Sequence, residues 1–188
     1  MRKVIKDLMV IVKNHIPAIE PIHEFGSLQV PGQEDFADLR SLYAGKDYKG
    51  SDMREGVGVD MILNLHHIDL PENSIGTALC LDTLEHVEDP RKAVEEMYRV
   101  IKPNGWLIIS SVMKFPIHDY PNDYWRFTPE AFRSILKPFK TCLVEYVGAD
   151  DFPHTVVGIG FKGDMPDLTK FKEELANWKN QYRGKIKK

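Results

Sequence analysis

The sequence predicts an α/β fold in which helices cover both faces of a mostly parallel sheet. Short apolar runs alternate along the chain with helical patterns, which is typical of such sheets. The last two runs, 141–147 and 155–161, are separated only by a short acidic turn, so they predict a hairpin that adds one antiparallel strand in the edge region. The 188 residues are enough for one domain with a sizeable core.

The composition argues against several classes of protein. With 25 basic and 28 acidic residues the net charge is −3, so we expect neither general nucleic-acid binding nor a membrane surface. Charged side chains interrupt the apolar residues of the first sixteen positions, which argues against a membrane span or a signal peptide and predicts a cytoplasmic protein. Cys80 and Cys142 lie in apolar, strand-like runs and are expected to be buried, reduced thiols.

The first half of the chain supplies one long helix and three strands. Apolar residues recur at helical spacing over about residues 3–16, and two prolines end this amphipathic helix. The elements that follow are a strand at 21–25, a turn-rich stretch at 26–32, a short helix at 34–43, a strand at 47–52 and a weaker strand at 61–65.

The second half begins with a strand at 77–81. The next helix has clear start and stop signals, an aspartate cap followed by proline and a later proline followed by Asn-Gly: Asp89, Pro90, Pro103, Asn104 and Gly105. After it come an apolar strand at 106–112, a helix from Thr128-Pro129 through about 136, and the final hairpin. Residues 1–163 therefore form the main domain.

Residues 164–188 contribute a C-terminal amphipathic helix and a basic end. Five large side chains recur there at steps of three and four residues: Leu168, Phe171, Leu175, Trp178 and Tyr182. Two explanations account for this stripe. It packs on its own domain, or it joins two copies of the chain in a homodimer.

Three strand ends carry residues suited to a ligand. Open α/β sheets bind ligands at the carboxyl ends of their strands, and the strand 77–81 leads into the polar, histidine-bearing segment 81–87. Gly26 follows Glu24 at the end of the first strand and lets a ligand approach the backbone. Asp52 ends the second strand and can accept both hydroxyl hydrogens of a ribose. A turn glycine with a surface aspartate is the alternative explanation.

Five blocks of sequence together resemble the class I S-adenosylmethionine-dependent methyltransferases, of the group labelled type 11. They are in register over about residues 20–163, at positions 24–27, 50–53, 69–74, 81–87 and 93–105. The resemblance implies a Rossmann-like, seven-stranded sheet of order 3-2-1-4-5-7-6. It also implies S-adenosylmethionine as the cofactor, bound across the ends of strands one, two and four, with S-adenosylhomocysteine as its product.

The resemblance further implies a set of cofactor-binding residues. These are Glu24, Gly26 and Ser27 along the methionine and ribose, Asp52 at the ribose hydroxyls, Met53 against the adenine, Asn64 and Leu65 at the adenine edge, Leu81 and Asp82 beneath the methionine, and Thr83 near the transferred methyl. The family often has aspartate in place of Asn64, whose amide oxygen can still accept the adenine amino hydrogens. Leu28 departs from the family pattern, because it takes the place of the second glycine of the G-x-G-x-G loop.

A second polar segment, 118–127, follows the fifth strand and mixes aromatic with charged side chains. In related methyltransferases this loop covers the acceptor site, so the resemblance implies a set of substrate residues: Tyr120, Tyr124, Trp125 and Arg126. If the acceptor must lose a proton, the candidate catalytic bases are His86, His118 and Asp123. The alternative is a packed structural loop in which Arg126 pairs with Asp123.

No metal site is predicted. His66 and His67 are adjacent, so in a strand they would point to opposite faces. The sequence has neither a histidine pair at i, i+4 nor paired cysteines.

The expected function is methyl transfer from S-adenosylmethionine to an oxygen or nitrogen of a small polar acceptor. The alternative is a non-catalytic binding or partner subunit that keeps the methyltransferase fold. The degenerate glycine loop around Leu28 is the main argument for that alternative.

Overall fold

A single seven-stranded sheet forms the centre of the computed structural model, which describes residues 1–119 and 122–184. Its strands are β1 (Ile22–Phe25), β2 (Tyr48–Asp52), β3 (Met61–Ile62), β4 (Ile75–Leu81), β5 (Ile101–Val112), β6 (Thr141–Gly148) and β7 (Pro153–Phe161). Their order is β3-β2-β1-β4-β5-β7-β6. β1 to β5 pair in parallel, whereas β7 runs antiparallel to both β5 and β6. The predicted order and the antiparallel strand near the edge are confirmed.

Helices cover both faces of this sheet. They are α1 (Lys3–His15), α2 (Glu34–Ala37), α3 (Pro90–Val100), α4 (Pro129–Ile135) and α5 (Thr169–Tyr182). Apolar side chains of α1 and α5 are buried on one face, and those of α3 and α4 on the other. β4 is buried at every position because it lies in the middle of the sheet. The carboxyl ends of β1, β2 and β4 therefore meet at one edge of a well-packed core.

The start of α3 follows the predicted signals. The Asp89 side chain accepts a hydrogen bond from the backbone N–H of Lys92 at 3.0 Å, and Pro90 is the first helical residue. The cap satisfies one of the N–H groups that the first turn leaves without a helical partner.

The end of α3 differs from the prediction. The helix ends at Val100, and β5 begins at the next residue, Ile101, which pairs with Ile75 of β4. The strand predicted at 106–112 therefore starts earlier and includes the Pro-Asn-Gly signal. A Cβ atom at Gly105 would lie 2.4 Å from the carbonyl oxygen of Gly76. The glycine therefore permits a close approach of two strands there.

Three smaller predictions need correction. β3 contains only two residues, because the chain turns after it: Asn64 Oδ1 accepts the N–H of His66 at 2.9 Å, and both adjacent histidines lie in this turn. The helix predicted at 34–43 is divided into α2 and a 3₁₀ turn, Arg40–Tyr43. Cys80 is buried as expected, but Cys142 is exposed because it lies on the edge strand β6.

The apolar stripe of α5 packs on its own chain, the first of the two explanations above. Phe171, Leu175, Trp178 and Tyr182 are all buried. The indole N–H of Trp178 donates to the carbonyl oxygen of Val4 in α1 at 2.9 Å. The last four residues of the basic end, 185–188, lie outside the described residues. Within 1–119 and 122–184, the structure has no helix with the length and apolar character needed to cross a bilayer.

Candidate active site

The ends of β1 and β4 are in direct contact at Gly26 and Thr83. Gly26 has a φ of +78°, and a Cβ atom there would lie 2.1 Å from Thr83 Oγ1. The backbone N–H groups of Gly26 and Ser27 both donate to the carbonyl oxygen of Ser51 in β2, at 2.7 and 3.0 Å. The structure thus brings together three strand ends that the sequence assigned to one site.

Glu24 is buried between β1 and β2. Its Oε2 accepts a hydrogen bond from the Tyr48 hydroxyl at 2.5 Å. Burial raises the pKa of Glu24 to about 7, although the hydrogen bond from Tyr48 and the positive charge of the chain's amino terminus oppose that rise. Glu24 is therefore a carboxyl group that changes its charge near neutral pH.

We expect the change Glu24→Gln to remove a pH dependence of stability. The folded pKa of about 7 lies above the ordinary value of 4.5, so the folded protein binds the extra proton between these values. The free energy of unfolding of the wild type should therefore fall by about 3 kcal/mol as the pH rises between these two pKa values. The glutamine side chain of the variant has no proton to lose, so its stability should not show this fall. Urea unfolding of both ligand-free proteins at about pH 4.5 and pH 8 measures the difference. Equal pH slopes for the two proteins would contradict the assignment.

The carboxylate of Asp52 lies at the end of β2. Its Oδ1 accepts the backbone N–H of Arg54 at 3.0 Å, which fixes its orientation, and the Arg54 side chain lies 3.7 Å away. The Asp52 side chain is 13% exposed, whereas Met53 next to it is 68% exposed. This arrangement offers carboxylate oxygens and an adjacent apolar surface at the same strand end.

Leu28 and Ser27 each pack against a glycine, in the loop after β2 and in β2 itself. A Cβ atom at Gly56 would lie 2.4 Å from Leu28 Cδ1, so the leucine packs on the loop after β2. The Ser27 side chain lies against Gly50 and its buried hydroxyl has no hydrogen-bond partner among the described residues. The bulk of Leu28 is thus accommodated by a glycine of the neighbouring loop.

Asn64 and Leu65, the two residues predicted at the adenine edge, differ in their exposure to solvent. Asn64 is exposed and uses its side-chain oxygen to cap the turn at His66, while Leu65 is buried. Leu81, predicted beneath the methionine, is buried at 4% exposure.

Asp82 forms a buried ion pair with Arg2, a residue that sequence reasoning missed. Arg2 contacts both carboxylate oxygens, with Nη2 2.8 Å from Oδ1 and Nε 2.9 Å from Oδ2. Ser110 Oγ also donates to Oδ1 at 2.9 Å, and Arg2 donates to Thr155 Oγ1 at 2.7 Å. Burial alone would raise the pKa of Asp82, but Arg2 lowers it to about 2. The start of α1 therefore lies over the end of β4.

Two of the predicted histidines lie next to Glu85, which was not predicted. Glu85 is fully buried and its Oε2 accepts from Ser111 Oγ at 2.6 Å. The rings of His86 and His118 are 4.7 Å apart, and His118 Nε2 is 4.0 Å from Glu85 Oε1. Burial and the neighbouring Asp82 carboxylate raise the pKa of Glu85, and burial and His86 lower the pKa of His118. No metal site was predicted, yet three metal-ligating side chains meet here.

Asp123 and Arg126 form the ion pair proposed for a structural loop. Arg126 donates to both Asp123 oxygens at 2.6 and 2.8 Å and to the carbonyl oxygens of Phe115 and Pro116. The hydrogen bonds from Arg126 lower the pKa of Asp123 well below its usual range. Asp123 is therefore ionised and fully hydrogen-bonded, which does not suit a general base.

Three predicted substrate residues remain: Tyr124, Trp125 and Tyr120. Tyr124 and Trp125 donate their backbone N–H groups to the carbonyl oxygen of Glu85, at 2.8 and 3.2 Å, and their side chains are about half exposed. Tyr120 lies outside the described residues.

A surface depression of about 450 Å³ lies elsewhere, beside the 3₁₀ turn Arg40–Tyr43, and none of the predicted site residues lines it.

Comparison with known proteins shows similarity to methyltransferases. Residues 43–109 match the family model described as a methyltransferase domain. A segment of 39 residues is 41% identical to the ubiquinone biosynthesis O-methyltransferase of Paracidovorax citrulli, and covers 21% of this chain but only 16% of that relative.

Two solved structures share the fold. A methyltransferase from Thermotoga maritima aligns with a TM-score of 0.62 at 20% identity, over 85% of this chain and 89% of that one. Phosphoethanolamine N-methyltransferase 2 of Haemonchus contortus, solved with phosphomonomethylethanolamine and S-adenosylhomocysteine, aligns with a TM-score of 0.65 at 14% identity, over 84% and 53% of the two chains. The chain thus shares the fold of these S-adenosylmethionine-dependent methyltransferases, and its residues 43–109 match the methyltransferase domain family.

Proposed function

We propose that this protein transfers a methyl group from S-adenosylmethionine to an oxygen or nitrogen of a small polar acceptor. The observation that carries the proposal is the contact of Gly26 with Thr83 beside the oriented carboxylate of Asp52. Close backbone approach at one strand end and a ribose-binding carboxylate at the next are the features that this fold uses for nucleoside ligands.

The residues at the strand ends fit the cofactor. Asp52 would accept the ribose hydroxyl hydrogens, because its carboxylate is oriented by Arg54 and lies beside the exposed Met53. Gly26 would let the ligand approach the backbone near Thr83. When bound, the cofactor supplies an electrophilic methyl group on a sulfonium centre. The packing of the Leu28 side chain on Gly56 supports room for the ligand beside Gly26.

On the acceptor side, His118 and His86 are better placed to take a proton than Asp123. Asp123 accepts hydrogen bonds from Arg126 and from the N–H of His118, and its Oδ2 lies 3.2 Å from His118 Nδ1. We infer that Asp123 positions the His118 ring, which leaves Nε2 of that ring facing the interior of the site. Positioning of the acceptor would supply most of the rate increase, since an in-line displacement needs little covalent help.

Calorimetry with S-adenosylhomocysteine tests cofactor binding directly. We expect saturable binding with one site per chain, because the strand ends supply one ribose-binding carboxylate. An absence of heat at ligand concentrations of about 1 mM would overturn the proposal, because that limit corresponds to only about 4 kcal/mol of binding free energy.

Turnover distinguishes the enzyme from a non-catalytic subunit. A subunit that only keeps the fold would bind the cofactor weakly and transfer nothing. Incubation of the purified protein with methyl-labelled S-adenosylmethionine and a pool of small metabolites should place label on an acceptor. Binding without any labelled acceptor would favour the partner-subunit alternative.

A further inference from the structure

Three side chains capable of binding a metal meet at the end of β4. Glu85 and His86 belong to the 3₁₀ turn Leu84–His86, and His118 comes from the loop after β5. One ligand atom from each of the three lies within 4.8 Å of the other two. Two imidazoles and one carboxylate are a common ligand set for divalent transition metals in proteins.

The Glu85 carboxylate is the strongest sign that something is bound here. Glu85 is 0% exposed, and Ser111 donates to only one of its oxygens. The other, Oε1, has no hydrogen-bond partner among the described residues and faces His118 Nε2 at 4.0 Å, which is too long for a hydrogen bond. A buried carboxylate oxygen without a partner is costly, so a cation at this position would relieve the cost.

The hydrogen bonds of the two imidazoles leave their Nε2 atoms as acceptors. His86 Nδ1 lies 2.7 Å from the carbonyl oxygen of Asn122, and a carbonyl oxygen only accepts, so the proton is on Nδ1. His118 Nδ1 lies 3.2 Å from the carbonyl oxygen of Pro116 and 3.2 Å from an Asp123 oxygen, which fixes the same tautomer. Metal-binding histidines characteristically use their second nitrogen in this way. Both Nε2 atoms, together with Glu85 Oε1, are therefore available as ligands.

The charges around the cluster point to a cation. Arg2 pairs with Asp82, and Arg126 pairs with Asp123, so both guanidinium groups near the site are already committed. Both guanidinium groups act on Glu85 through space, but within the described residues neither donates a hydrogen bond to it, and it lies next to the negative charge of Asp82.

We propose that Glu85, His86 and His118 bind one divalent transition-metal cation of the zinc type through Oε1 and the two Nε2 atoms. With zinc–ligand bonds of about 2.0–2.2 Å, two ligands of a tetrahedral ion lie about 3.3–3.6 Å apart. The ligand atoms of the cluster lie within 4.8 Å of one another, so side-chain rotation must bring the most distant pair closer by about 1 Å. Three protein ligands leave at least one open position. With the ion bound, both Nε2 atoms are ligands, so His86 and His118 would take a proton from the acceptor only in the metal-free protein. Occupation of the open position by an acceptor oxygen rests on the proposed function, whereas the cation site itself does not.

Titration of the metal-free protein with Co²⁺ and Zn²⁺ tests the site without any activity measurement. We expect about one ion per chain by equilibrium dialysis and the visible absorption of a low-coordinate Co²⁺ complex. His118→Asn and Glu85→Gln should each abolish that absorption and lower the bound metal from about one ion per chain to nearly none. His67→Asn removes an exposed histidine outside the cluster and should leave both readouts unchanged.

Two results would overturn the proposal: no Co²⁺ or Zn²⁺ bound by the wild type, or equal binding by wild type and His118→Asn. Because Glu85 is buried, circular dichroism must show that Glu85→Gln is folded, and the partly exposed His118 gives a second variant if it is not. Parallel calorimetry with S-adenosylhomocysteine separates the two proposals. Cofactor binding without metal binding rejects only the metal site, and metal binding without cofactor binding rejects only the methyltransferase.

Discussion

Replacing Arg2 by methionine is expected to lower the free energy of unfolding by about 3–5 kcal/mol, because it leaves the buried Asp82 carboxylate without its cation. The side chains of Arg2 and Asp82 are only 16% and 6% exposed, so solvent screens the pair little. Urea unfolding at neutral pH measures this loss as a lower midpoint concentration of urea, with an unchanged slope of the free energy against urea concentration. Lys3→Met is the matched control. It removes a cation from the next residue, whose 66% exposed side chain pairs with Asp7, and should change stability by less than about 0.5 kcal/mol.

The double variant Arg2→Met with Asp82→Asn should regain much of this loss, since it removes both charges together. Asparagine also tolerates the left-handed backbone of position 82, where φ is +48°. The pH dependence has a defined sign. The folded pKa of Asp82 is about 2, below its ordinary value of 3.8, so the pair's contribution is present above pH 3.8 and is lost as the pH falls through about 2. Equal losses in Arg2→Met and Lys3→Met would contradict a buried, stabilising pair.

The change Asp52→Ala is expected to weaken binding of S-adenosylhomocysteine by about 100-fold or more. Two hydrogen bonds from ribose hydroxyls to a carboxylate are lost, and bonds to charged groups contribute about 1.5–3 kcal/mol each. Asp52→Asn should have an intermediate effect, because its side-chain oxygen can still accept the N–H of Arg54 and one hydroxyl. Calorimetry measures the three dissociation constants.

Glu55→Ala is the control for Asp52→Ala, because it removes the same charge from the same loop at an exposed position. We expect its dissociation constant to stay within a factor of about two, since a screened surface charge contributes little. If Asp52→Ala bound the ligand as well as Glu55→Ala does, the ribose would have to lie elsewhere.

Local signals in the sequence predicted most of the framework. The cap at Asp89 was visible because capping depends on neighbours within one helical turn. The end of α3 could not be predicted in this way. Pro103 and Gly105 are typical signals of a helix end, but β4 offers a pairing partner at Ile75, and the helix therefore ends before them. Tertiary pairing then extends β5 backwards through a signal that, taken alone, predicts a turn.

The candidate site residues at the strand ends could be located from the sequence alone. Asp52 and Gly26 could be placed from their positions along the chain, since the ends of parallel strands gather at one edge. Arg2 could not, because it reaches Asp82 across 80 positions and nothing near Arg2 marks it as a partner. The grouping of Glu85 with His118 was missed for the same reason: ligand-spacing rules detect sets on one element, and these residues come from two.

The contact between α5 and α1 makes the order of synthesis relevant to the site. α1 is translated before α5, so two of its contacts wait for that helix: the hydrogen bond from Trp178 to the Val4 carbonyl and the pairing of His15 with Glu174. Until then one face of the sheet lacks the cover that α5 provides. The helix that carries Arg2 over the end of β4 thus gains its full packing only after translation of α5, so a nascent chain lacks part of the packing that supports the Asp82 pair.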